Sequence, residues 1–271
     1  MKRLSLALVF WAVCGWQAGS AAETTQADSA AAQPSAVQNT GASASAAVPS
    51  EQEAVRALQK LKAQVKLDDQ GRVQTIEAIA TQIADEQLAL LGSLKGLVSL
   101  EIGGGRITDA GLAHLRALGS LERLYLHDLR ITDAGLANLR DLVNLEVLSL
   151  QNNRITDKGL EHLKKLESLR VLNLSHNKIT DAGLAHLKGL SELDTISFEH
   201  TKVTGAGLVH LKPLDKLRVL NLKYCAVSDG DLELLVGHEN LRMLYLKGTK
   251  VNEENIEAFK EKMVSLAVFF Y

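Results

Sequence analysis

One hexapeptide constrains the fold of this chain more than any other feature. The sequence I-T-D-A-G-L begins at Ile107 and recurs, unchanged or nearly so, every 24 residues. The later copies begin at Ile131, Ile155, Ile179, Val203, Val227 and Val251. Self-similarity at a fixed period of this length predicts a solenoid, in which each unit forms one coil and stacked neighbours share a core.

The apolar positions around the hexapeptide predict the shape of one coil. The unit reads L-x-x-L-x-L-x-x-x-basic-I-T-D-x-G-L-x-H-L-x-x-L-x-x. Its fourth and sixth positions, such as Leu148 and Leu150, alternate as in a strand with one buried face. Leu112, Leu115 and Leu118 then follow at a spacing of three, which puts an apolar stripe on one side of a short helix. Each coil should therefore contain a strand, a turn and a helix.

This unit resembles the leucine-rich repeat family, in a short 24-residue subtype with the I-T-D-x-G-L signature that looks bacterial and exported. The resemblance implies an α/β solenoid, a right-handed horseshoe arc with a parallel sheet on the concave face and short helices on the convex face. It also implies that partners bind on the concave face. Asn153 and Asn177 lie where the family stacks asparagines that bond the backbone of the turn. Cys225, in the same column, is predicted to be a small buried residue.

Five units carry a glycine at the fifth position of the hexapeptide. These are Gly111, Gly135, Gly159, Gly183 and Gly207. On a helical wheel they face the core, and we expect them to let the helix approach the sheet. The threonine or the aspartate that precedes each glycine can cap the helix.

Residues 1–22 have the form of a secretory signal peptide. Lys2 and Arg3 precede an apolar run, and small residues follow it. The run is too short to cross a bilayer, which takes about 20 apolar residues. Cys14 leaves lipid attachment as the alternative to cleavage. We expect an exported protein (periplasmic, cell-surface or secreted) without stable membrane insertion after cleavage.

Composition and periodicity divide the remaining chain into four segments. Residues 23–50 are rich in Ala, Ser, Thr and Gln, and predict a disordered linker or a spacer without a specific role. Residues 51–96 predict an N-terminal cap, with a helix whose capping box begins at Ser50, a hairpin and a degenerate repeat. Residues 97–264 contain seven repeats, and residues 265–271 should form a closing strand.

The charge argues against a nucleic-acid-binding protein, and the cysteine content argues against an internal disulfide. Without Lys2 and Arg3, 28 basic residues face 32 acidic ones, which is not the basic footprint of a nucleic-acid-binding protein. Without Cys14, Cys225 is the only cysteine, so an internal disulfide cannot form. We expect no nucleic-acid partner, no cofactor and a monomer.

The exposed face of the sheet is the predicted binding surface. Its residues occupy positions three, five, seven and eight of each unit and vary from coil to coil. We expect them to face solvent and to contact a protein partner. The alternative is a structural or envelope-associated protein in which this surface varies without binding a ligand. The predicted contact residues are Tyr125, His127, Asp128, Gln151, Asn152, Asn173, His176, Glu199, His200, Asn221, Lys223, Tyr224, Tyr245 and Lys247.

Two further columns could carry chemistry. A basic column just before the hexapeptide could receive an anionic partner, or could be neutralised by the aspartates three residues later. It contains Arg106, Arg130, Arg154, Lys178, Lys202 and Lys250. A histidine column on the helix could bind metal, but its spacing matches no established zinc pattern and we expect a structural role. It contains His114, Asn138, His162, His186 and His210.

Catalysis has little support in the sequence. His176, Glu199, His200 and Tyr224 should cluster on adjacent strands, as a metal binder or a metal-dependent hydrolase would require. An open sheet does not offer the deep pocket that catalytic sites use. Phosphate-loop, G-x-S-x-G and H-E-x-x-H motifs do not occur. We therefore expect a binding protein without catalytic residues or a bound metal, and keep the metal site as an alternative.

Overall fold

A computed structural model describes residues 50–79, 83–263 and 265–270. Its centre is one ten-stranded sheet whose strands follow each other in sequence order. The first two strands are antiparallel, and every later pair of neighbours is parallel. The strands are β1 (Gln64–Leu67), β2 (Val73–Ile79), β3 (Ser99–Gly103), β4 (Arg123–His127), β5 (Val147–Ser149), β6 (Val171–Asn173), β7 (Thr195–Ser197), β8 (Val219–Asn221), β9 (Met243–Tyr245) and β10 (Ala267–Phe269).

The parallel strands keep one register, because each residue lies opposite the residue 24 positions earlier. Leu148 lies opposite Leu124, and Val268 of the closing strand lies opposite Leu244. We number the coils one to seven from Leu97, Leu121, Leu145, Leu169, Leu193, Leu217 and Leu241. The predicted signal peptide, residues 23–49 of the predicted linker, Cys14 and Tyr271 lie outside the described residues.

The helices of the coils are shorter than regular α-helices. One α-helical turn begins at the aspartate of most hexapeptides and continues as a 3₁₀ segment or a turn, whereas coils five and six are 3₁₀ throughout. The α-helices are α1 (Glu51–Lys60), α2 (Asp85–Leu88), α3 (Asp109–Leu112), α4 (Asp133–Leu136), α5 (Asp157–Leu160), α6 (Asp181–Leu184) and α7 (Ile256–Lys260). The 3₁₀ segments are Ala89–Ser93, Ala113–Ala117, Glu161–Leu163, Gly205–Leu211, Asp229–Leu235 and Glu253–Asn255.

One continuous hydrophobic core runs through the stack from Ala54 to Leu266. Helix α1 closes the first end with Ala54 and Leu58, and it begins with the predicted capping box. The Glu53 carboxylate accepts a bond from the Ser50 backbone N–H at 2.8 Å, and the Ser50 hydroxyl accepts one from the Glu53 N–H at 3.4 Å. The predicted fold class, an α/β leucine-rich repeat solenoid forming an open arc, is confirmed.

The aspartate of the hexapeptide joins one coil to the next. Asp133 accepts a hydrogen bond from the Thr156 backbone N–H at 2.7 Å and another from the Thr156 hydroxyl. The threonines 23 residues later donate the same pair of bonds to Asp85, Asp109, Asp157 and Asp181. Thr132 also caps its own helix, since its hydroxyl accepts from the Ala134 N–H at 3.3 Å. Thr108, Thr132 and Thr204 act as the predicted caps, whereas Thr156 and Thr180 make no side-chain cap bond. The aspartate bonds to the following coil.

The glycine column is explained by these joints. A Cβ at Gly135 would lie 2.3 Å from Oδ1 of Asp109 and 3.0 Å from Cγ2 of Ile131. Gly111, Gly159, Gly183 and Gly207 show the same close approach to the aspartate of the preceding coil. The predicted reason was wrong: the glycine makes room for the neighbouring aspartate rather than for the sheet.

The predicted asparagine ladder is present over two coils. Nδ2 of Asn153 donates to the carbonyl of Leu126 at 2.8 Å, and its Oδ1 accepts from the Ile131 N–H at 3.2 Å. Asn177 repeats these bonds one coil later. Cys225 is buried in the same column, and burial raises the pKa of its thiol. This environment fits the predicted packing role and disfavours a reactive thiolate.

Candidate functional site

The predicted contact residues at position five are buried. Tyr125 is only 6% exposed and packs against Val147 and Val171 of the next two strands. Tyr245 is 7% exposed, and its ring stacks on Phe269 at 4.7 Å. The expectation that Tyr125, Asn173, Asn221 and Tyr245 face solvent is therefore wrong. Side chains of adjacent strands on this face pack laterally, because parallel strands are only about 4.8 Å apart.

The two buried asparagines orient their neighbours at position seven. Nδ2 of Asn173 donates to Oε1 of Gln151 at 3.3 Å, and Nδ2 of Asn221 donates to Oε2 of Glu199 at 3.0 Å. In both, Oδ1 accepts from the backbone N–H two residues along the chain. Asn173 and Asn221 thus fix position-seven side chains on the preceding coil.

Position eight forms a ridge that we call the rim column. It contains Gly104, Asp128, Asn152, His176, His200, Tyr224 and Gly248. All seven residues have left-handed backbone conformations, with φ between 53° and 70°. Because they share this conformation, their side chains leave the backbone in the same direction. A bulky aromatic residue rarely adopts the left-handed conformation, so the backbone of Tyr224 is unusual.

Side chains of the rim column contact one another from coil to coil. Nδ2 of Asn152 donates to Oδ1 of Asp128 at 2.6 Å. The rings of His176 and His200 stack at 4.5 Å, and those of His200 and Tyr224 stack at 4.0 Å. Tyr224 is 40% exposed, and its ring lies over Gly248, where a Cβ would approach it to 2.4 Å. The result is an exposed aromatic ladder across coils four to six.

His127, at the end of β4 in coil two, lies between two carboxylates. Nε2 is 3.2 Å from Oε1 of Glu101, and Nδ1 is 3.1 Å from Oδ2 of Asp128. Burial lowers the pKa of His127, but its hydrogen bonds to Asp128 and Glu101 and the charges of these carboxylates outweigh burial and raise the pKa to about 9. The ring is therefore positively charged at neutral pH. Glu101 was not predicted, although it occupies position five of coil one and could have been found from that column.

Three side chains of the predicted cluster come together. One ligand atom each of His176, Glu199 and His200 lie within 4.8 Å of one another. Burial, and then the charge of His200, lower the pKa of His176 and favour its neutral form. Tyr224 joins the cluster by stacking on His200. Lys223 lies apart, with Nζ 5.3 Å above the ring of Tyr245.

The basic column is exposed along its whole length. Within the described part of the chain, none of its six cations lies within ion-pair distance of an acid. The aspartates three residues later form no direct ion pair with these cations, because Asp109, Asp133, Asp157 and Asp181 accept bonds from threonines of the following coil. The histidine column forms no group of three metal-ligating residues among residues 50–79, 83–263 and 265–270.

A groove of about 570 Å³ lies at the opposite edge of the sheet, where the strands begin. Asp68, Arg72, Glu122 and Glu146 line it. None of the predicted contact residues does, so groove and rim column are separate surfaces. In the described residues, no helix has the length and apolar composition of a membrane span.

Comparison with solved structures places this arrangement among known repeat proteins. The chain is similar to internalin C2 of Listeria monocytogenes, with 26% identity and a TM-score of 0.61 over 73% of this chain and 81% of that one. It is also similar to a leucine-rich repeat protein of Leptospira interrogans, with 21% identity and a TM-score of 0.50 over 70% and 52%.

The plant peptide hormone receptor RGFR1 in complex with RGF2 shares the fold. Its identity to this chain is 15%, with a TM-score of 0.52 over 76% of this chain and 36% of the receptor. No curated protein matches the sequence significantly. Residues 143–203 match the leucine rich repeat family model, and the chain has the fold of an α/β leucine-rich repeat solenoid.

Proposed function

We propose that this chain is an exported binding module that recognises a protein partner through the rim column and the position-seven side chains beside it. The observation that carries the proposal is the exposed aromatic ladder of His176, His200 and Tyr224. Aromatic anchors surrounded by polar groups are the usual hot spots of protein interfaces.

The distribution of exposed residues supports this surface over the rest of the molecule. Position-seven and position-eight residues differ between coils, whereas the core columns and joints repeat. Positions seven and eight of the same face also carry charges and amides, at His127, Asp128, Gln151, Asn152, Glu199, Lys223 and Lys247. Such groups supply the polar rim that gives an interface its specificity. The plant receptor, which was solved with RGF2, is a precedent for ligand binding on this fold.

Residues 1–22 support export, because they have the three regions of a signal peptide. The partner is accordingly expected in the periplasm, at the cell surface or outside the cell. The shallow rim favours a macromolecule over a small substrate, since small ligands bind in concave pockets. Binding, rather than catalysis, is therefore the proposed activity.

Site-specific photo-crosslinking can test the proposal. A photoreactive amino acid at position 224 should capture a protein from an envelope extract of the source organism. The same group at Val143, which is 51% exposed and lies outside the rim column, should not capture it. With the purified partner, Tyr224→Ala should weaken binding roughly 30-fold, the effect of losing a hot spot worth about 2 kcal/mol.

Tyr125 and Tyr245 are poor test positions, because they are buried and their loss would change stability as well as binding. Equal capture at positions 143 and 224, or unchanged affinity of Tyr224→Ala, would refute the proposed surface. A structural or envelope-associated role without a defined ligand would then be the better description.

A further inference from the structure

Three metal-ligating atoms from neighbouring coils meet in the rim column. A ring nitrogen of His176, a ring nitrogen of His200 and a carboxylate oxygen of Glu199 all lie within 4.8 Å of one another. Among residues 50–79, 83–263 and 265–270, this is the only group of three such residues. Two imidazoles and a carboxylate are a donor set that Zn²⁺ and related divalent transition metals use.

The carboxylate of Glu199 is already oriented. Its Oε2 accepts a hydrogen bond from Nδ2 of the buried Asn221 at 3.0 Å. Asn221 is itself held, because its Oδ1 accepts from the Lys223 backbone N–H at 3.0 Å. A second residue that holds a ligating side chain in place is typical of protein metal sites. The other oxygen of Glu199 remains available to an ion.

The two histidine rings need only a small rearrangement. Two nitrogens bound to one tetrahedral Zn²⁺ at about 2.0 Å lie roughly 3.3 Å apart. The rings now stack at 4.5 Å with an interplanar angle of 27°, and both side chains are exposed. The ligating nitrogens lie within 4.8 Å of each other, so they need to approach by at most about 1.5 Å to reach this separation.

We propose that His176, Glu199 and His200 form a surface site for a divalent transition metal, with Zn²⁺ as the reference ion. The three side chains supply three ligands, and the fourth position is open to water or to a donor from another molecule. Catalysis is not part of the proposal. The site shares His176 and His200 with the aromatic ladder, but its test needs no protein partner, because the ion contacts only residues of this chain.

Calorimetric titration of the full chain, purified without a histidine tag, tests the site. Titration with ZnCl₂ should show a binding stoichiometry of one Zn²⁺ ion per chain. The double variant His176→Asn/His200→Asn should weaken Zn²⁺ binding by at least about tenfold, and so should Glu199→Gln. Asparagine is chosen because Asn152 adopts the same backbone conformation in the rim column, with φ 53°.

The matched control is His186→Asn/His210→Asn. It removes two histidines from the same two coils, but from the helix column rather than the rim column. The control should keep the affinity of the original chain. The site is refuted if no binding occurs up to about 1 mM Zn²⁺, or if the rim-column variant binds as tightly as the control. Since no partner is present, failure here leaves the protein-binding proposal untouched.

Discussion

We call the contact between a carboxylate of one coil and the helix start of its neighbour a joint. The joints of the early coils and the joint between coils five and six place a carboxylate at the same point, but the carboxylate comes from different coils. In the early joints the aspartate belongs to the earlier coil, as when Asp181 binds Thr204, and the later coil has glycine opposite it. Between coils five and six the earlier coil has Gly205 and the later coil has Asp231. Oδ2 of Asp231 accepts bonds from the Ser228 N–H at 2.8 Å and hydroxyl at 2.7 Å.

This exchange shows what the joint requires. A Cβ at Gly205 would lie 1.8 Å from Cγ of Asp231, so the carboxylate occupies the space that an aspartate at 205 would fill. In these joints one coil supplies a carboxylate and the other a glycine, and either coil can supply the acid. Between coils six and seven, Asn255 stands in place of the glycine and donates to Asp229 at 2.9 Å. The aspartate and the glycine of the hexapeptide are therefore complementary to residues of the adjacent coils.

The largest expected effect comes from putting two carboxylates into this one space. Gly205→Asp should destabilise the protein by about 2–4 kcal/mol, because the new side chain meets Asp231 with steric overlap and like charge. Asp231→Gly alone should cost about 1–2 kcal/mol, because Ser228 loses its acceptor. Urea unfolding followed by circular dichroism measures both.

The double variant Gly205→Asp/Asp231→Gly is the decisive control. It recreates the early joint, and its stability should return to within about 1 kcal/mol of the original chain. Additive destabilisation in the double variant would show that the two residues are not exchangeable.

A smaller effect is expected from a methyl group in an early joint. Gly135→Ala should cost about 2–3 kcal/mol, because its Cβ would lie 2.3 Å from Oδ1 of Asp109. Gly230→Ala is the control: nothing lies within 4 Å of its Cβ, and it should be neutral or slightly stabilising. If both variants unfold at the same urea concentration, Asp109 moves aside freely and the joint contributes little.

The smallest effect concerns a second departure from the repeat pattern, which also lies in coil six. His238 replaces a core leucine, is only 5% exposed, and its Nε2 has no hydrogen-bond partner within the described chain. His238→Leu should stabilise the protein by about 1 kcal/mol, because it removes an unsatisfied buried nitrogen. Denaturant midpoints at neutral pH measure this gain.

The pH dependence of His238→Leu gives an independent check. Burial lowers the pKa of His238, against which nearby Asp215 acts only in part. The unfolded chain, whose histidine titrates near pH 6.5, therefore binds a proton that the folded chain excludes. The original protein should lose stability as the pH falls below about 6.5, and the gap to His238→Leu should widen. A constant gap between pH 7 and 5 would contradict this assignment.

The candidate site was predictable only in part. Column positions identified His176, Glu199, His200 and Tyr224 as neighbours, because a fixed register brings position eight of each coil beside the next. Burial at position five was not predictable, since it depends on side chains such as Val147 packing against Tyr125 from another strand. The pairing of His127 with Glu101 was not predicted, although position five of coil one could have indicated Glu101.

The sequence by itself determined the coil length, the columns that enter the core and the parallel order of the strands. A 24-residue apolar period leaves each coil with unburied surface that only an identical neighbour in the same register can cover. The tertiary structure decided which coil supplies each joint carboxylate, which face residues stay exposed and which rim rings stack. These contacts join residues about 24 positions apart in the chain, and their geometry exists only once the coils have stacked.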